Sequence, residues 1–459
     1  MSTVGPKALE VSRERPHLLI AGLGLFLLLA TVLLGISVPT VFVGLLVLSA
    51  AALAIIRPEI GLHVLALNAL VGLTRLVELP RVGPLSAPIL IEVLLVGGVL
   101  FQIAFQRRRL HLGTPQHILL GLLALYIFFS VLMGVNVGPE NFEDFRNLFL
   151  VRLIVFLLVT ILITSLEGIK RLVITFMIAN AGLLVLATAV RLGYFGQEKI
   201  TVSQDFQRTG ALLQNPNELA FNLTTMLVLT IISFLLARSY TAKTILLGLA
   251  AADLICIMST LSRSGFISMC VVMMFLFFKL TRNLRALAVI LVLALSGWVM
   301  MPEALFARFS RIDEVKDVDR LQLARVGLAM AKDHPLLGVG LGNFVSSFRD
   351  YNVSNMKAPA PAHNMYVDMT AQMGVPALLL YVGVLGVTWR GLRRLERDLK
   401  TAGETRSFPF LFGLAMQAAF VNLAVFGLSG DMEFDYGIFI LLGLTLVLLR
   451  IHARRPEAA

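Results

Sequence analysis

Along most of this chain apolar residues do not alternate with polar ones but run in unbroken stretches. Each stretch is close to the roughly 20 residues an α-helix needs to cross the hydrocarbon core of a bilayer. Stretches at 18–36, 38–56, 60–74, 86–105, 116–134, 147–165, 171–191, 217–237, 242–261, 264–281, 284–300, 364–389, 408–428 and 434–451 each predict a span, with Pro39 and Pro58 between spans. Between 302 and 362 the pattern changes to charged residues, prolines and the glycine run Gly338-Val339-Gly340-Leu341-Gly342. There Asp319 can cap a helix whose apolar positions Leu321, Ala324, Leu328 and Ala331 recur at helical spacing. His334-Pro335 ends it, because the residue before proline is pushed out of the α region. The predicted fold is all-α: a polytopic helical membrane protein with about 12 to 14 transmembrane helices. It forms one integral membrane domain over 1–459, with a large, partly helical extracytoplasmic loop at 302–362.

Composition agrees: 58% of the 459 residues are hydrophobic and only 15% charged, too apolar for a soluble chain. Lys7, Arg13 and Arg15 precede the first stretch, which carries no small-residue cleavage site better than its surroundings, so it reads as a helix that stays. The net charge of +11 accompanies no nucleic-acid motif, so no nucleic-acid partner is expected. The excess falls in alternate loops. With the N-terminus in the cytoplasm, Arg107 to Arg109, Lys170-Arg171, Arg238 with Lys243, Lys279 with Arg282 and Arg285, Arg390 to Arg406, and Arg450 with Arg454 and Arg455 all lie inside. Both termini are then cytoplasmic. The acidic Glu140 to Asp144 and Asp431-Met432-Glu433 lie outside. Cys256 and Cys270 fall within apolar spans and read as small packing residues rather than disulfide or metal ligands.

In this topology three spans present their N-termini, the positive ends of their dipoles, to the outer face. Asn215 can cap the first, with Pro216 at its first position, Glu218 as a capping-box partner and Arg208 upstream. Ser262 or Ser264 can cap the second beside Arg263. His363 stands at the start of the third. Arginine beside a helix N-terminus suits an anion, and its planar fork suits phosphate oxygens. Histidine is the side chain whose ordinary charge change falls near neutral pH, which suits a proton acceptor. Glu92, Arg152, Asp253 and Asp368 lie inside apolar stretches, where charge is costly and is paired or functional. Asp368, five residues after His363, reads as too far round the helix to face it. The carboxylates of the segment Arg311 to Arg320 match no calcium loop, and no metal-ligand cluster is evident. The glycine run lacks the strand–helix context of a dinucleotide fingerprint and reads as tight turns.

These residues, in this order, resemble a known family. Arg208-Thr209-Gly210, Asn215-Pro216-Asn217-Glu218, Leu261 to Gly265, Arg320, the segment Pro335 to Phe344, His363-Asn364-Met365-Tyr366 and Gly374-Val375-Pro376 resemble the O-antigen ligase and polymerase family over about 205–385. The resemblance implies a glycosyltransferase of the bacterial inner membrane, without cofactor or metal. It would move a glycan from a polyprenyl-pyrophosphate carrier to a glycan or lipid A-core acceptor. By the same resemblance Arg208, Arg263, Arg320 and Asn215 would hold the pyrophosphate, and His363, which matches an essential histidine of the family, would act in catalysis. Other expected contacts are with membrane lipids. A transporter of a small anionic solute is the rival reading, although no inverted repeat supports it; a non-catalytic envelope-assembly scaffold is a third.

Overall fold

The computed structural model describes residues 58–71, 93, 95–100, 112–191, 201–203, 206–208, 215–280, 314–351 and 361–454. The spans expected at 18–36, 38–56 and 284–300 lie outside these residues, as does Glu92. The described helices are α1 (Pro58–Val71), α2 (Pro115–Leu132), α3 (Pro139–Leu162), α4 (Leu166–Arg191), α5 (Pro216–Leu236), α6 (Tyr240–Ser259), α7 (Arg263–Leu280), α8 (Glu314–Asp333), α9 (Phe344–Tyr351), α10 (Met365–Met373), α11 (Val375–Thr401), α12 (Phe408–Phe426) and α13 (Tyr436–Ala453). Two three-residue strands, β1 (Thr201–Ser203) and β2 (Phe206–Arg208), pair antiparallel. Among the described residues nine helices are long and apolar enough to cross a membrane, so the all-α polytopic class holds.

Proline, a short polar side chain or both start most of these helices. Asn215 accepts from Asn217 N–H ahead of Pro216, Ser407 accepts from Phe410 N–H ahead of Pro409, and Asp435 accepts from Ile438 N–H. Proline loses nothing at the first turn because its missing N–H has no helical partner there. α3 begins at Pro139, earlier than the apolar stretch. The acidic segment Glu140 to Asp144 is therefore its first turns rather than a loop. Carboxylates there face the positive end of the helix dipole.

α12 and α13 form the centre, each buried along most of its length. α12 packs on α5, α7 and α11; α13 packs on α3 and α11. In a bilayer, buried polar side chains join helices where apolar contact alone would not discriminate. Asn422 of α12 donates to Phe221 O and Thr225 Oγ1 of α5 and accepts from Ser268 of α7 at 2.6 Å. Asp253 of α6, fully buried, accepts from Asn180 of α4 at 2.9 and 3.1 Å. Cys256 is buried and Cys270 is exposed on α7; both are free thiols.

Hydrogen bonds between their ends gather the spanning helices into two groups of termini. At one end Glu396 is bonded to Lys279 (2.6 Å), Lys400 (2.8 Å) and Gln417 (3.1 Å), Arg450 donates to Ile163 O, and His452 meets Asp398. At the other end lie the turn after α2, the N-termini of α5, α7 and α13, and the segments on either side of α10.

The stretch expected as one span at 364–389 is two helices. It breaks at Gly374, whose φ of +82° belongs to the left-handed region that L side chains rarely adopt. Pro376 then sits in the first turn of α11. A Cβ at Gly374 would collide with the carbonyl of Leu336, because the glycine run crosses there. Gly338, Gly340 and Gly342 all have positive φ. Val339 N–H donates to Ala371 O and Gly340 N–H to Gln372 O. The run thus takes the carbonyls that the end of α10 leaves open.

α8 also departs from its expected bounds and face. It begins at Glu314, placing Asp319 inside the helix rather than at its cap. Leu321 and Leu328 are exposed, while Leu323, Val326 and Met330 are buried against Phe344, Phe348 and α10. The two stripes are both at helical spacing; Ala331 of the expected one is buried as well, and packing against α10 decided that Leu323, Val326 and Met330 face inward.

Replacing Gly374 by Ala combines left-handed strain, about 1–3 kcal/mol, with the collision at Leu336. Thermal unfolding of the detergent-solubilised variant should show a clear loss of stability. Gly248→Ala, in a helix with open space around the site, should be neutral or slightly stabilising.

Candidate functional site

The end of the bundle that carries α10 holds Asn215, Arg263 and His363, three of the five residues the sequence singled out. Asn215 is the N-cap of α5. Ser262 caps α7, accepting from Gly265 N–H at 3.1 Å, and its hydroxyl donates to Asn217 Oδ1 at 2.8 Å. The two N-termini are thus side by side, and Gly265 lets Ala220 of α5 close in. Arg263, half-buried, is the first residue of α7. Leu261, two residues earlier, has φ +51°. Arg208 ends β2 in backbone terms; its side chain lies outside the described part. Arg320 is exposed on α8.

His363 is not the cap of its helix. Asn364 is: its side chain accepts from Tyr366 N–H (3.0 Å) and Val367 N–H (3.1 Å), and its amide donates to Leu428 O. His363 stands one residue outside, at φ +50°. It and Leu261 are the two non-glycine residues with positive φ among those described. Such strain persists only where the surroundings impose it and gathers at functional sites. The conformation turns the imidazole away from α10 towards the α12–α13 link, where Nδ1 lies 3.4 Å from Asp431 Oδ2. The side chain stays 44% exposed, so the ring can still meet a substrate.

Asp368 therefore does share surroundings with His363, contrary to the helical-wheel expectation, because His363 is not on the helix. Asp368 is buried and accepts from Gln372 Nε2 at 2.6 Å. Burial and the neighbouring Asp431 carboxylate push its carboxyl up to about 7. Glu433 is raised well above the usual carboxylate range by burial, with Asp368 and Asp431 adding to the effect. Asp435 is raised by burial as well, although the N–H groups of α13, Arg152 and Asn222 oppose the shift. Through Asn222 of α5 the link touches the helix whose N-terminus adjoins Arg263. Arg152 is partnered by Phe434 O and lies over the Tyr436 ring.

The sequence placed Asp431 and Glu433 in an acidic outer turn without connecting them to His363. Only the sequence distance of about 70 residues hid the connection; the residue types were visible. The glycine run completes the surroundings. Gly342 N–H donates to Gln372 Oε1 at 2.7 Å, Asn141 Nδ2 reaches Leu341 O and Asn343 Oδ1, and Asn343 Nδ2 reaches Asn136 O and Val339 O. Among the described residues no three or more His, Cys, Asp and Glu side chains are arranged to hold a metal ion.

Asn364→Ala should cost about 1 kcal/mol of stability through the lost cap, while Asn364→Asp should keep most of it. Thermal unfolding of both variants measures the difference.

Residues 245–382 match a family model described as O-Antigen ligase. No curated protein sequence matches the chain. The matched segment contains Arg263, Arg320, the glycine run, His363 and the break at Gly374, while Arg208 and Asn215 precede it. The segment that matches the O-antigen ligase model is thus the one in which most of the ordered motifs lie.

Proposed function

We propose that this protein transfers a glycan from an undecaprenyl-pyrophosphate carrier to an acceptor sugar at the outer face of the bacterial inner membrane. The acceptor would be lipid A-core, as for a ligase, or the growing chain, as for a polymerase. The family match supports the coarser statement, a role in glycan transfer during envelope polysaccharide assembly. One observation carries the finer reading: an exposed, strained His363 and a half-buried Arg263 at a capped helix N-terminus lie at the same end of the bundle.

In this mechanism the acceptor hydroxyl meets His363. With Nδ1 turned to Asp431, Nε2 remains to take the proton while the oxygen attacks the anomeric carbon. The bond from that carbon to the pyrophosphate oxygen breaks, and the electron pair leaves with pyrophosphate. Arg263, with Arg208, Arg320 and the N-terminus that Asn215 caps, stabilises the developing charge in place of a divalent ion. The chain acts as one integral domain in which 302–362 is the extracytoplasmic loop. Charge supports that orientation: Lys170, Lys279, Arg393, Lys400, Arg450 and Arg454 belong to the end opposite His363, as the positive-inside rule requires of a cytoplasmic face.

Purified protein tests the chemistry. Arg263→Lys should lose much of the transfer although charge is kept, since an ammonium cannot make two parallel N–H bonds to phosphate oxygens; Arg263→Ala should lose more. His363→Ala and His363→Asn should both bind the lipid-linked donor and fail to transfer. Since Asn364 provides the cap, full transfer by His363→Asn would remove the base. Chelators should leave the wild-type rate unchanged, and a chelator-sensitive rate restored by magnesium or manganese would remove the metal-independent step. Reporter fusions check orientation: a periplasmic reporter should be active at Ser347 and silent at Arg394.

A further inference from the structure

Behind His363 lies a carboxyl group cluster that the proposed mechanism leaves without a role. Asp368 of α10 and Glu433 of the α12–α13 link are 6% and 5% exposed, and the link is seated on the start of α10, where Met365 N–H donates to Gly430 O and His363 lies 3.4 Å from Asp431. Asp368 Oδ1, Glu433 Oε2 and Asp431 Oδ1 are buried with no donor from the protein. Carboxylate oxygens only accept, so an Asp368–Glu433 contact requires a proton between them. Two adjacent carboxylates in a desolvated site cannot both ionise. Asp431, which reaches His363, also acts on both of the others.

We propose that Asp368 and Glu433 form a proton-holding carboxyl pair that, together with Asp431, sets how readily His363 takes up a proton. This rests on the reading of His363 as the base. Asp431 is the positioning residue next to the imidazole, and the pair behind it is a variable charge. When the pair gives up its proton, a negative charge appears near the ring and favours the imidazolium; when it holds the proton, that support is withdrawn. The titration of Asp368 around neutral pH agrees with this role. The surrounding groups leave the pair room to titrate. Ala362 N–H and Gln372 bond Asp368, and Tyr381 O–H is spent on Glu433 O at 2.8 Å. Asp435, beside Arg152, is held by the N–H groups of Gly437 and Ile438 and by Asn222. Tyr366 O–H donates to Ala424 O, away from the pair.

The two members predict opposite effects, which a merely structural role would not. Asp368 is the member that ionises, because its Oδ2 accepts from Gln372 while Glu433 Oε2 has no donor; Asp368→Asn removes that charge and should lower the pH midpoint at which His363 protonates. Glu433→Gln gives Asp368 an amide donor in place of a shared proton, so Asp368 ionises at lower pH and the His363 midpoint should rise. Each shift should be roughly half a unit or more. The full chain in nanodiscs with isotope-labelled histidine gives the midpoint by NMR, the His363 signal being assigned by its loss in His363→Asn. The wild-type minus Glu433→Gln infrared difference at neutral pH should contain a protonated carboxyl C=O band. Unchanged midpoints, shifts of the same sign, or absence of that band would overturn the pair. If either amide variant fails to reach the membrane, Asp431→Asn should still lower the midpoint, and no change there overturns the linkage. None of these readouts needs transfer. Should the midpoints move as expected while the pH profile of glycan transfer does not follow them, the pair stands and the base assignment falls.

Discussion

A helix that stops inside a helical membrane protein leaves unpaired carbonyls and N–H groups, and in lipid such groups cost several kcal/mol each. The break at Gly374 creates that problem, and the glycine run solves it. Val339 and Gly340 supply N–H groups to the last carbonyls of α10, and Val375 N–H finds Pro335 O. Ser130 Oγ lies 2.7 Å from Leu337 O and 3.0 Å from Gln372 O, so that one hydroxyl of α2 fastens loop and helix together. Positive φ at Gly338, Gly340 and Gly342 is what lets the loop turn sharply enough to do this. Everything at this end of the bundle depends on that closure.

Gln372 joins the closure to the candidate chemistry. Its Oε1 accepts from Gly342 N–H and its Nε2 donates to Asp368 Oδ2. A displacement of the loop therefore alters the hydrogen bonding of the carboxyl nearest the His363 cluster. The site also separates its charges. Arg263 and the helix N-termini of α5 and α7 form a positive region suited to an anion, while Asp431 lies beside the imidazole with the buried carboxyls of Asp368 and Glu433 behind it. In the proposed reaction the anionic donor would be drawn to the first, leaving His363 for the neutral acceptor hydroxyl.

The rest of the bundle supplies rigidity by the same means. Asn422 ties α12 to α5 and α7, and Glu396 ties α11 to α7 and α12 through Lys279 and Gln417. Glu396 shares its charge among Lys279, Lys400 and Gln417, so the loss of one leaves it held by the others. These junctions sit at Gln417 and Asn422, in the middle and the second half of α12, and tie the helix to α5, α7 and α11 within its apolar contacts.

Much of this was legible in the sequence because its causes are local. Apolar run length marked the spans, the Asn215-Pro216 and Ser262-Arg263 pairs marked helix starts, and alternating Lys and Arg marked which ends group together. The order of short motifs pointed to the ligase family that residues 245–382 match. What the sequence misplaced depends on contacts between distant segments. The apolar run at 364–389 looks continuous because its break is stabilised by carbonyls and N–H groups from residues 335–342. The buried stripe of α8 was decided by packing against α10. The cluster of His363, Asp368, Asp431 and Glu433 exists because His363 leaves the helical path at φ +50° and meets a link some 70 residues further on. Local chemistry determined which segments are helices and which residues carry charge; only the tertiary structure decided which of those charges face one another, because Coulomb and hydrogen-bond partners are chosen by distance in space.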